Sequence, residues 1–137
     1  MNVTAGFEFM GRFRPCATDK ETLLEGLLAI AQRHPGVLDK LANDFDRPDR
    51  RRRQIARRAE DVYRDRPDLE HEITEILPGY FVGTNENADM KLEILMRACR
   101  HAGLDYGKDF RAICLEGDGN RLHQLEAEFS AADKLGL

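Results

Sequence analysis

The chain has 137 residues with 21 basic against 25 acidic side chains, a net charge of -4, and is 42% hydrophobic and 34% charged at a mean hydropathy of -0.55. That is too apolar for a disordered chain and too polar for a membrane one, and no apolar run approaches the roughly 20 residues a spanning helix needs. One core suffices at this length, so residues 1–137 are expected to form a single compact domain, with a strand or arm over 1–17 and a helical body over 18–137.

Met1 to Pro15 has no basic head followed by an apolar stretch, which argues against secretion and for a cytoplasmic protein with no membrane partner. Within it Val3, Ala5, Phe7, Phe9 and Phe13 take odd positions, with Thr4, Glu8, Arg12 and Arg14 among the even ones. Period two predicts a strand with one apolar face, or else an arm packed by its phenylalanines. A strand needs a partner; Tyr80-Phe81-Val82 and Phe110 to Leu115 are candidates within the chain, and an unpaired edge makes a homodimer a further expectation.

Helical spacing begins at Thr18-Asp19-Lys20-Glu21, a capping box, and Leu23, Leu24, Leu27, Leu28 and Ala31 give the first helix a broad apolar face ending at His34-Pro35-Gly36. Val37, Leu38, Leu41, Ala42 and Phe45 predict a second helix. A third is expected from Pro48 to Arg64, with Ile55, Ala56, Ala59, Val62 and Tyr63 on one side, and a fourth from Asp68 to the turn Pro78-Gly79, with Leu69, Ile73, Ile76 and Leu77 as its stripe. The fifth, Ala88 to Ala102, is apolar around much of its circumference, follows a cap at Asn85 or Asn87, and ends at Gly103. Phe110 to Leu115 is a short helix or a strand. Gly117 to Asn120 is a turn, and Leu122, Leu125, Phe129 and Ala132 mark a last helix. The fold expected is mainly α, about six helices with at most a short N-terminal strand or small β element.

Arginine is concentrated between Arg47 and Arg66, where nine arginines face four acids, leaving the rest of the chain at a net -9. On a helix Arg50, Arg53, Arg57 and Arg64 form one stripe opposite the apolar face, flanked by Arg51 and Arg58. Guanidinium forks suit carboxylates and phosphates alike. The acidic balance and the lack of neighbouring aromatics argue for an anionic protein partner ahead of nucleic acid. Tyr80 and Phe81, between Gly79 and Gly83, are a second candidate contact.

Catalytic and metal patterns are thin. His71 and Glu75 are i,i+4 neighbours if the fourth helix forms, but the second zinc-protease histidine is replaced by Glu75 and the carboxylate-x-x-His motif of di-metal bundles occurs once. Glu116, Asp118 and Asn120 open like a calcium loop, which then fails at Arg121 and Ala127. No nucleotide-binding glycine motif is present. Cys16, Cys99 and Cys114 form no C-x-x-C pair and are expected to be reduced, with Cys99 and Cys114 as buried apolar groups. The function expected is a non-enzymatic protein-binding module of adaptor, accessory or inhibitor type, with no cofactor and no metal. The alternatives are a regulator contacting nucleic-acid phosphates through the same helix, and a metal-dependent enzyme.

Overall fold

The computed structural model describes residues 4–48 and 52–136. The architecture is α+β rather than mainly α: among the described residues, four α-helices and three short 3-10 turns are combined with two three-stranded antiparallel sheets. The helices are α1 (Asp19–Arg33), α2 (Val37–Phe45), α3 (Ala88–Ala102) and α4 (Asn120–Lys134). The first sheet has the order β2-β1-β6, from Gly6–Phe9 (β1), Arg12–Pro15 (β2) and Phe110–Arg111 (β6). The second has the order β3-β5-β4, from Ile55–Ala56 (β3), Ile73–Leu77 (β4) and Tyr80–Gly83 (β5). Among the described residues no helix is long and apolar enough to cross a membrane.

The N-terminal alternation belongs to a hairpin and not to one strand. Met10 and Gly11 both take positive φ, 52° and 85°, which is the two-residue turn whose twist matches antiparallel strands. Phe7 then faces Arg14, Glu8 faces Phe13, and Phe9 faces Arg12. Reversal of the chain puts Phe13 on the opposite face from Phe7 and Phe9, and it is 50% exposed. Of the two expected partners, Phe110 to Leu115 is the one used: β1 pairs Phe9 with Phe110 and Glu8 with Arg111. The remainder of that stretch, Ile113–Leu115, is a 3-10 turn.

Among the described residues, the third and fourth helices expected from the sequence do not form. Between Arg52 and Asp65 the described chain is extended or turned, with β3 pairing on β5, and the fourth helix is replaced by a 3-10 turn (Pro67–Glu72) running into β4. Two causes act together. A helix would stack arginines at i,i+3 and i,i+4, where like charges destabilise. The β-branched run Ile73-Thr74 and the turn Pro78-Gly79, with Gly79 at φ 84°, also suit a hairpin. Tyr80-Phe81-Val82, a candidate partner for the N-terminal strand, is a strand but in the other sheet, where it is the central strand β5, and Val82 is fully buried.

The remaining helices follow their local signals. The Glu21 N–H donates to Thr18 Oγ1 (3.1 Å) while Glu21 Oε2 accepts from the Ala17 N–H (3.1 Å). Asn87 Oδ1 accepts from the Met90 N–H (2.9 Å), and Gly103 at φ 71° lets the Leu104 N–H return to the Cys99 carbonyl (2.8 Å). The core joins Leu23, Leu27 and Ile30 of α1, Leu41 and Phe45 of α2, and Leu92, Ile94 and Leu95 of α3 to Phe7, Phe110, Ile55 and Val82 of the two sheets. A smaller cluster of Ala56, Val62, Tyr63 and Leu69 packs with Ile73 and Phe81.

Candidate functional site

Among the described residues, the arginines singled out by the sequence do not form a helical stripe. Arg50 and Arg51 lie outside the described residues. Arg53 bridges to Val62 through its backbone and pairs with Asp46 (2.6 Å) and Asp61 (3.9 Å). Arg57 reaches α2, where its Nε donates to Asp39 Oδ1 (2.9 Å) and its Nη2 to Asn43 Oδ1 (2.9 Å). Arg58 pairs with Glu60 and Arg64 with Asp61. Each described member of the set therefore already faces a carboxylate. Tyr80 donates to the same Asp39 (3.2 Å), and the Arg57 bond, followed by the Tyr80 bond, holds that carboxyl below its usual range.

Phe81 instead helps floor a cavity of about 600 Å³ together with Val62, Tyr63 and Ile73, rimmed by Arg64, Arg66, Glu60, Glu70 and Glu75. Tyr63 is the strained element there, a non-glycine residue at φ 56° and 1% exposed. Its ring lies on the backbone of Gly83, so close that a Cβ there would come within 2.5 Å of Tyr63 Cζ. Its hydroxyl donates to Glu86 Oε2 (2.5 Å), and Arg52 covers the ring at 5.3 Å. Burial, and then Glu86, push the phenol well above its usual range, so it stays a proton donor. The rim carries both signs, and its arginines are held by Asp61 and Asp68 (2.7 Å), so it selects no class of ligand.

The N-terminal hairpin carries a less balanced surface. Because Arg12 and Arg14 stand opposite Phe9 and Phe7, they share one face of β2, turned toward the end of α1. With Ala29, Gln32 and Arg33 of α1 they border a groove of about 600 Å³ whose floor is Phe7 and Phe9. Arg14 is 3.6 Å from Glu25 and lies over the Phe7 ring at 5.8 Å. Among the described residues, Arg12 and Arg33 form no ion pair. Every residue of β2 is exposed, and its outer edge has no strand beside it among the described residues. Sequence reading missed this set because it placed Phe13 with Phe7 and Phe9. The signal was Gly11, two residues before Phe13, at the only point where the alternation could turn back.

The catalytic and metal candidates are dispersed. His71 is exposed in the 3-10 turn before β4, and Glu75 accepts the Gly79 N–H (3.0 Å) across the β4–β5 turn. Among the described residues no three His, Cys, Asp or Glu side chains are placed to hold a metal. Cys99 is buried, its thiol pushed up to about 12 by that burial, while His101 meets Asp44 (2.6 Å) on α2. Asp118 caps the turn into α4 by accepting the Asn120 N–H (2.9 Å). Cys114, expected in the core, is only partly buried. Comparison with protein-family models, curated proteins and solved structures finds no match for this chain.

Proposed function

We propose that the protein is a non-enzymatic protein-binding module that captures an extended acidic segment of its partner on the free edge of β2. The observation that carries this reading is that, among the described residues, Arg12 and Arg33 form no ion pair and lie with Arg14 along a fully exposed strand whose outer edge has no strand beside it. An added strand supplies main-chain hydrogen bonds, and its alternate side chains fall on the two faces of the sheet. On the α1 face they meet arginine, and on the other they meet Phe13, which is half exposed. The favoured partner strand therefore alternates acidic with apolar residues.

A second copy of the chain is a poorer occupant of this edge. Antiparallel self-pairing about Phe13 sets Arg12 against the second copy's Arg14, and like charges facing across strands destabilise the pair. The arginine edge thus guards against self-association while leaving an acidic strand welcome.

Fluorescence anisotropy with a labelled peptide of alternating glutamate and valine tests the reading, against a lysine-valine peptide and a single-stranded oligonucleotide. Exposed ion pairs contribute about 0.5 to 1 kcal/mol each, so replacing Arg12 and Arg33 with alanine together weakens the acidic peptide about tenfold, and Phe13→Pro, which deletes an edge N–H, weakens it further. Equal affinity for the lysine peptide overturns the proposal. Tighter binding of the oligonucleotide, abolished by the same arginine changes, replaces it with nucleic-acid binding.

A further inference from the structure

The outer edge of β2 offers fewer main-chain groups than its exposure suggests. In an antiparallel sheet successive residues turn their N–H and C=O alternately toward one neighbouring strand and toward the other. Two contacts fix that alternation here. The Met10 N–H donates to the Asp109 carbonyl (2.8 Å), in the same register that sets Glu8 against Arg111, so even-numbered residues on this strand bond toward β6. The Cys16 N–H donates to the Ala5 carbonyl (3.0 Å), so the odd-numbered ones bond toward β2. Phe9 faces Arg12 and Phe7 faces Arg14. The backbone groups of Arg12 and Arg14 are therefore engaged by β1, and those of Phe13 and Pro15 turn outward.

Proline has no N–H to offer. The next residue of the same parity, Ala17, donates its N–H to Glu21 Oε2 (3.1 Å), and on the other side Gly11 lies in the turn at φ 85°. Within β2 the edge thus presents one N–H, that of Phe13, and two carbonyls, those of Phe13 and Pro15. It accommodates a single doubly bonded residue pair, centred on Phe13. Proline at an edge limits strand addition in this way.

We propose that the segment recognised at this edge is an acidic-apolar-acidic tripeptide, bound antiparallel with its apolar residue opposite Phe13. This rests on the reading of β2 as the docking edge and adds the register and direction. The central residue exchanges both main-chain bonds with Phe13, and the residue two places before it donates to the Pro15 carbonyl. Antiparallel pairing is the more stable arrangement per residue, and it alone gives both bonds of Phe13 to one residue. The central side chain falls on the face of Phe13. That ring leans inward over Gly6, where a Cβ would come within 2.9 Å of its Cζ, and its outer side is left 50% exposed. The flanking side chains fall on the α1 face, the first opposite Arg14 and the last opposite Arg12. Opposite charges facing across strands attract, so both flanks select carboxylates.

The test is fluorescence anisotropy of the full chain with labelled glutamate-valine-glutamate peptides flanked by serines, unmodified or methylated at one backbone nitrogen. Methylation of the valine nitrogen removes the donor to the Phe13 carbonyl and is expected to weaken binding about tenfold. Methylation of either glutamate nitrogen, which points away from β2, leaves affinity within about twofold. Direction is read from a charge exchange: wild type binds glutamate-valine-lysine and lysine-valine-glutamate alike, whereas Arg12→Glu prefers the first about tenfold, because its lysine then faces position 12. Equal sensitivity to methylation at all three positions, loss at the second glutamate alone, or the opposite preference in Arg12→Glu overturns the proposal. So does failure of the unmodified tripeptide when the longer alternating glutamate-valine peptide binds, an outcome that leaves β2 as the docking edge. Failure of both peptides overturns the docking reading as well.

Discussion

The packing of Tyr63 on Gly83 supplies a quantitative test of the fold over the segment where sequence and structure diverge. If residues 48–64 were a helix and residue 83 a loop position, Gly83→Ala would be neutral or slightly stabilising, since Gly83 has no positive φ to protect. In the α+β arrangement the new methyl group lies 2.5 Å from Tyr63 Cζ and 2.7 Å from its hydroxyl. Either the ring yields and strains the cluster, at about 1 to 3 kcal/mol, or it leaves and surrenders its bond to the Glu86 carboxylate, at about 1.5 to 3 kcal/mol. The expected loss is about 2 to 3 kcal/mol, a fall in melting temperature on the order of 10 °C for a chain of this size. Thermal and urea unfolding followed by circular dichroism measure it. The cycle with Tyr63→Ala isolates the cause: once the ring is gone, Gly83→Ala costs little, a coupling of about 2 kcal/mol. Gly79→Ala serves as control, since Gly79 at φ 84° has open space around its Cβ position. It loses only the left-handed backbone preference, about 1 kcal/mol, with or without Tyr63. A Gly83→Ala protein within about 0.5 kcal/mol of wild type, or an equal penalty in both backgrounds, refutes the reasoning.

Three further outcomes follow from particular side chains. Glu93, 2% exposed, accepts from Arg97 (2.9 Å) and Arg121 (2.5 Å) and so joins α3 to α4; Glu93→Ala leaves these two partly buried cations only the more distant carboxylates of Asp44 (3.9 Å) and Glu128 (3.8 Å) and is expected to cost about 2 to 3 kcal/mol by urea midpoint, and a loss below about 1 kcal/mol contradicts that role. Asp39 titrates below its ordinary 3.8 because of Arg57 and then Tyr80, and Asp68 is lowered by Arg66. A folded carboxyl of lowered pKa contributes stability that is complete above the unfolded value and disappears as pH falls through the folded value. The stability gap between wild type and Asp39→Asn should therefore be constant above about pH 5 and close below 3.8; a gap unchanged at about pH 2 is inconsistent with this linkage. Cys99, with its thiol near 12, should resist iodoacetamide in the folded protein and react only on unfolding, whereas Cys16 and Cys114 are alkylated in the native state; peptide mapping after a timed pulse distinguishes the three.

The amino-acid sequence determines on its own those features whose causes lie within a few residues. Thr18 with Glu21 starts α1, Pro35 and Gly36 separate it from α2, Asn87 starts α3 and Gly103 stops it. In each case a side chain satisfies a neighbouring backbone group, or a φ value is fixed by the residue itself. The apolar faces of α1, α2 and α3 are equally local, because a 3.6-residue period needs no knowledge of what covers it.

The chain between Arg52 and Gly83 was settled by contacts between residues remote in sequence. Ile55, Ala56, Val62 and Tyr63 fit a helical wheel as well as they fit β3 and the turns after it, and Pro78-Gly79 ends a helix as readily as it joins two strands. What decides is β5, which pairs Ile55 with Val82 on one side and Thr74 with Val82 on the other. Arg57 is likewise drawn to Asp39 and Asn43 on α2, an attraction that no local spacing encodes. The same holds for the hairpin face. Its reversal at Met10-Gly11 is local, but the placement of Arg33 beside Arg12 and Arg14, and of Cys114 against Thr22, exists only once α1 and β6 have packed against β1. Tertiary structure made these choices because strand pairing and charge neutralisation depend on partners brought together by burial, whereas caps and turns carry their partners with them.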